Sequence, residues 1–174
     1  MPRGLKCTSP SMMMKNKKRV AVTVVTALLL VGLYFVIFSF SEQDGETSGS
    51  LSQKISQECV EIMQKVSHKE WTLDYRQNLS EYLEHPIRKL AHFSEYACMG
   101  ILVYVLWCQW MKRDRKLYTL VICWVLLSAI GDEVHQLFVP GRWGSMADVI
   151  LDTCGGIFGL LVCLFVERMR NKLL

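Results

Sequence analysis

Long apolar runs alternate with short polar stretches along this chain, and the length of each run predicts the element it forms. Val20 to Phe40 carries no charged residue. As a helix rising 1.5 Å per residue it covers about 31 Å, the thickness of a bilayer's hydrocarbon core. A cleaved leader would need an apolar region of only about 7–15 residues and a small-residue cleavage site, so this run reads as an uncleaved anchor. Three further runs of spanning length follow at about 90–111, 117–139 and 147–166. The third span is apolar through Ile130 and polar in its last third. Between the first two spans, a hydrophilic exit at 41–50 leads into Leu51, Ile55, Cys59, Ile62 and Val66. That spacing predicts an amphipathic helix from Leu51 to about Ser67, with Ser50 or Ser52 as its N-cap. Pro86 is expected to end whatever helix precedes it. The predicted fold class is all-α, an integral membrane four-helix bundle with an extracytoplasmic helical segment between the first and second spans.

Charge placement orients this bundle. Short basic clusters at 15–19, 112–116 and 168–172 fall on one side of the four spans, and the positive-inside rule makes that side cytoplasmic. The expected organisation is a cytoplasmic basic tail at 1–19, a transmembrane helix at 20–40 and an extracytoplasmic amphipathic segment at 41–89. A three-helix core at 90–166 and a cytoplasmic tail at 167–174 complete it. The protein is then a multi-pass cell-membrane protein with both termini inside. Composition agrees: 51% of the 174 residues are hydrophobic and mean hydropathy is +0.22, high for a soluble domain that is 21% charged. The net charge of +4 is no nucleic-acid signal, because Lys and Arg lie mostly beside the apolar blocks. Five of the seven cysteines sit inside apolar segments as small hydrophobes, and no CxxC spacing points to a disulfide framework or zinc cluster.

Polar residues at the ends of the spans are the candidate chemistry. An ionisable group near the membrane centre costs roughly 2.5–3.5 kcal/mol on insertion scales, so each calls for a reason. Span two opens with Arg88, Lys89, His92, Glu95 and Tyr96; span three closes with Asp132, Glu133, His135 and Gln136; Arg142 lies in the turn; span four opens with Asp148 and Asp152. On the predicted topology these groups fall within about 10 Å of the outer interface by helix rise. They do not alternate between ends, so one shared pocket is possible. His92 and Glu95 are an i, i+3 pair, Asp132, His135 and Gln136 share a face, and Asp148 and Asp152 are i, i+4. Glu133 is rotated about 100° from Asp132. Gly155 and Gly159, helped by Gly156 and Gly100, permit close helix approach.

Four chemistries suit such a pocket. A structural network of His–Glu and Arg–Asp pairs would hold three helices together, with Arg142 suited to a bidentate pair with Asp148 or Asp132. His92, Glu95 and His135, with one Asp, have the ligand types for zinc, although His-x-x-Glu is not the metalloprotease spacing. The same three residues are the candidates for acid–base catalysis; no nucleophile stands out, since Ser94 and Ser145 lack an activating context. A binding pocket would use Arg88, Lys89 and Arg142 with Trp143 to hold an amphiphile or an anionic lipid head group. No cofactor is expected, and the bilayer itself is the first partner. The apolar inner halves of spans two and three argue against a transport path.

These motifs also resemble a known family. Arg88-Lys-x-x-His92-Phe-x-Glu95-Tyr96, Asp132-Glu-x-His-Gln136, Pro140-Gly-Arg142, and Asp148 before a glycine-rich helix look like the VanZ-like membrane protein family. Phe38-Ser-Phe-Ser-Glu-Gln43, leading to Ser48, is similar to that family's exit from its first span. The resemblance implies a small multi-pass bacterial membrane protein. Through the member that gives the family its name, it also implies a link to resistance against the lipidated glycopeptide teicoplanin. Where some members carry Asn near position 152, this sequence has Asp, which adds a charge.

Overall fold

The computed structural model describes residues 10–41, 45–140 and 143–173; Arg142 and Cys7 lie outside the described residues, as do the side chains of Ser50 and Leu51. The chain forms five helices: α1 (Pro10–Ser41), α2 (Gly45–Ser67), α3 (Leu73–Trp107), α4 (Arg115–Gln136) and α5 (Met146–Leu173). By length and composition α3, α4, α5 and the Asn16–Ser41 part of α1 can each cross a membrane. The protein is an all-α membrane helical bundle, as its hydropathy pattern requires. α3 is the hub and packs against all four other helices, while α4 also packs on α5 and α1.

Each spanning helix buries one stripe. In α4 the stripe is Leu117, Val121, Val125 and Ala129, spaced every four residues, and it continues without changing face into Asp132, Glu133 and Gln136. In α5 it is Val149, Asp152, Gly155, Gly156, Gly159 and Leu160. In α1 it is Thr26, Leu30, Ile37 and Ser41, with the rest of the helix largely exposed. The polar residues of α4 and α5 therefore stand on the packing stripe and point into the bundle, not at lipid. Glycine sets the closest approach. A Cβ on Gly155 would collide with the backbone carbonyl of Phe93, and one on Gly159 with that of Ala97; Gly100 in turn lies against the Gly156 carbonyl. Backbone-to-backbone packing of α3 on α5 thus occurs one residue from His92 and three from Asp152.

Three local expectations are corrected. Pro86 does not end a helix; it sits inside α3, which runs through it for 35 residues, about 52 Å. The missing N–H removes one helical hydrogen bond, but Pro86 and Tyr82, whose carbonyl is freed, are both exposed. Contacts with α2 and α5 support α3. Ser52 does not cap α2, which begins at Gly45; it lies within the helix and donates to Glu84 Oε1 across to α3 at 3.3 Å. The predicted apolar stripe of α2 is not the buried one either. Ser52, Ser56 and Val60 are buried, with Ser56 Oγ 2.8 Å from Ser80 Oγ, whereas Ile55, Ile62 and Val66 are exposed. At 100° per residue the two stripes lie about a quarter-turn apart, so small side chains face α3 and the apolar ones face outward.

The helices α3 and α4 end at Trp107 and Gln136, short of the predicted span limits, and the chain continues in tight turns. Asp114 caps α4 by accepting from the backbone N–H groups of Lys116 and Leu117. At that same end of the bundle Arg113 pairs with Glu167 of α5 at 3.0 Å.

Candidate functional site

At the opposite end of the bundle, the stripes of α3, α4 and α5 bring His92, Asp132 and Asp152 together. Each offers a ligand-type atom, and these atoms all lie within 4.8 Å of one another. Asp132 is 1% and Asp152 2% exposed. Asp132 is held from two sides: Ser41 Oγ, the last residue of α1, donates to its Oδ1 at 2.6 Å, and Gln136 Nε2 donates to its Oδ2 at 3.3 Å. Gln136 Nε2 also reaches Ser41 Oγ at 3.3 Å, which closes a small ring. Asp152 differs. Its Oδ1 is buried and has no hydrogen-bond partner among the described residues. The same holds for the hydroxyl of Tyr96, a fully buried side chain.

The other predicted pocket residues take distinct positions. Glu95 Oε2 lies 3.6 Å from His92 Nδ1, an ion-pair distance too long for a hydrogen bond. His135 packs edge-on against Phe38 of α1 with ring centroids 5.4 Å apart. Among the described residues the group whose ligand-type atoms lie together is His92, Asp132 and Asp152; it keeps His92 and an aspartate of the sequence-predicted set and does not include Glu95 or His135. The reason is register. His135 and Asp132 both reach α1, but half-buried His135 packs on Phe38 there, whereas Asp132 also continues the buried stripe of α4. Glu133 is buried, and its Oε2 accepts from the Ser145 backbone N–H at 2.6 Å, tying the turn before α5 to α4. Lys89 Nζ pairs with Asp148 Oδ1 at 3.0 Å across α3 and α5. Arg88 pairs at 2.9 Å with Glu84 of its own helix.

Above the three-residue cluster opens a cavity of about 210 Å³. His92 and Asp152 form part of its wall, with Glu133, Gln136 and Asp148; Arg88, Lys89 and His85 line it from α3, Leu151 from α5 and Trp143 from the turn before it. Two of these, His85 and Leu151, were not among the sequence candidates. His85 had a usable signal, since His85, Lys89 and His92 recur at i, i+4 and i+7 on one helical face. Ser41 was missed as well. Its one signal was its place in the Phe38–Gln43 motif; a serine at the end of an apolar helix carries no further mark that distinguishes a donor to a carboxylate from a solvated hydroxyl.

Along α1 and α4 a second polar seam runs down from this end. Tyr34 OH lies 2.5 Å from Ser128 Oγ and accepts from Trp124 Nε1 at 3.0 Å. It fixes the height of α1 against α4 and so places Ser41 beside Asp132.

No curated protein and no solved structure matches the chain. A protein-family model described as VanZ/LLP1 matches residues 26–167. The match begins at Thr26, where the buried stripe of α1 starts, and ends at Glu167, the partner of Arg113, so it takes in the whole packed bundle. This chain belongs to the VanZ/LLP1 family.

Proposed function

We propose that the protein acts at the outer leaflet of the cell membrane, with both termini cytoplasmic, and that its pocket takes the polar head of a lipid-bearing amphiphile. In doing so it alters how such amphiphiles, teicoplanin-type lipoglycopeptides among them, engage the envelope. The observation that carries the reading is the 210 Å³ cavity walled by Arg88 and Lys89 on one side and carboxylates on the other, with the 88% exposed Trp143 at its lip. Drug-sized ligands occupy roughly 300–1,000 Å³. This cavity is therefore sized for a head group and too small for a whole glycopeptide, so an effect on the antibiotic runs through a lipid or through its lipid-like end. The outward orientation is supported by the basic clusters at 112–116 and 168–172, which lie at the end opposite the cavity. The antibiotic part is supported by family resemblance alone.

Expression in a teicoplanin-sensitive bacterium tests it. The wild-type protein should raise the inhibitory concentration several-fold, and an Arg88→Ala/Lys89→Ala variant at equal membrane abundance should return it to baseline. Unchanged susceptibility with the wild-type protein sinks the antibiotic part. Failure to co-purify any lipid in gentle detergent, read by mass spectrometry, sinks the head-group part.

A second reading is an enzyme acting on an outer-leaflet lipid or lipid-linked precursor. It is favoured by one observation: His92 and Asp152, an imidazole and a buried carboxylate, border the cavity where the head group would lie. Turnover of such a lipid that survives His92→Ala would eliminate it.

A further inference from the structure

We infer that His92, Asp132 and Asp152 form a binding site for one divalent transition-metal cation, zinc by preference, at the floor of the cavity. Two observations point to it independently. First, an imidazole nitrogen and two carboxylate oxygens from three different helices lie within 4.8 Å of one another. Ligands about 2.1 Å from a shared tetrahedral ion sit about 3.4 Å apart, so a small contraction of this cluster closes around a metal. Second, Asp152 Oδ1 is buried with no hydrogen-bond partner among the described residues, beside a second buried carboxylate. Two carboxylates side by side in that setting need a shared proton or a cation between them, and a metal ion is the cation that three ligand-type side chains can hold. The two basic side chains of α3 at the cavity are engaged elsewhere, Lys89 with Asp148 and Arg88 with Glu84.

The surroundings are those of a metal centre. Ser41 and Gln136 each donate to a different oxygen of Asp132 and fix the carboxylate's orientation, the role that outer-shell partners play for metal ligands. Each carboxylate oxygen retains a second lone pair for the ion. One nitrogen and two oxygens suit zinc or manganese; the absence of thiolate excludes a soft-metal preference, and three protein ligands are too few for calcium. Three ligands also leave a coordination position, and His92 and Asp152 border the cavity, so that position opens toward it. A phosphate or carboxylate oxygen of a head group would fill it. Only this last link rests on the head-group reading; the cation site stands on the cluster itself.

The test uses the full-length protein in gentle detergent, stripped with a chelator and titrated with zinc chloride alone against a competing indicator, with metal content read by mass spectrometry. One zinc per chain with a dissociation constant in the micromolar range or below is expected. Asp152→Asn and Asp132→Asn should each weaken it at least tenfold, and Glu167→Gln at the far end should leave it within twofold. His92→Gln guards against misfolding of the aspartate variants, and every variant must elute as the wild type does in gel filtration. Zinc should also raise the wild-type thermal midpoint and leave that of Asp152→Asn unmoved. No stoichiometric zinc or manganese, or binding unaffected by Asp152→Asn, overturns the proposal; so does binding lost in Glu95→Gln and His135→Gln but kept in Asp152→Asn. The titration adds no lipid, so Arg88→Ala/Lys89→Ala should keep zinc while losing any co-purified lipid, which separates failure here from failure of the head-group reading.

Discussion

Asp132 shows how much one hydroxyl can decide. Its Oδ1 accepts a 2.6 Å hydrogen bond from Ser41, and the residue is 1% exposed. Leaving a buried acceptor without its donor costs about 1–3 kcal/mol, more when the acceptor is charged. Ser41→Ala should therefore lower stability by at least about 1 kcal/mol, read as a shift in the denaturation midpoint of purified protein in detergent. Ser39→Ala, on the exposed face of the same helix, should shift it by less than about 0.5 kcal/mol. The half-buried ion pair of Lys89 with Asp148, whose side chains keep more than a third of their surface in contact with solvent, contributes less, about 0–1 kcal/mol. At this scale the sequence was legible in part. An acid on an apolar helix announces itself through its cost, so Asp132 and Asp152 stood out. Which neighbour each polar residue meets was not legible: Asp132 and His135 are only about 60° apart on one face of α4, yet Asp132 stands on the packing stripe and His135 lies against Phe38.

Between helices, the glycines of α5 matter more than any polar contact. The GxxxG spacing of Gly155 and Gly159 was readable from the chain; its partner was not, since nothing in the sequence says that Phe93 and Ala97 offer the facing backbone. Gly155→Ala and Gly159→Ala must each push α5 from α3, and overpacking of this kind costs about 1–3 kcal/mol. Thermal unfolding of the two variants should show that loss, while Gly32→Ala, with nothing within 4 Å of its added Cβ, should be neutral or slightly stabilising. Equal effects at all three positions would contradict the packing described. Pro86 and α2 were misread for a common reason. Local propensity and hydrophobic spacing assume that a helix answers only to its own sequence and to one apolar surface. α3 continues through Pro86 while packed against its neighbours, and α2 meets α3 through serines while turning its apolar residues outward.

For the molecule as a whole, both ends of the bundle are defined by charge, but differently. One gathers acids and an imidazole inside the packing; the other carries basic clusters outside it, with Arg113 and Glu167 bridging α5 to the turn before α4. The positive-inside rule then predicts the orientation: reporter fusions at residue 114 should score cytoplasmic and those at residue 69, in the turn between α2 and α3, extracytoplasmic. The opposite pattern would put the cavity on the inner face and remove the basis for an outer-leaflet role. Four apolar runs of spanning length made this scale the most legible, because hydropathy over about twenty residues is hard for tertiary context to override.

The first helix deserves a different description from the one its sequence invites. Its hydropathy says anchor, yet Ser41 and Tyr34 reach across to Asp132 and Ser128, and Ile37 is 1% exposed. Staying in the bilayer and completing the polar centre are thus separate duties carried by one segment. A generic greasy replacement would fulfil the first and leave Asp132 stripped of its hydroxyl partner: a protein correctly embedded, with the heart of its pocket undone.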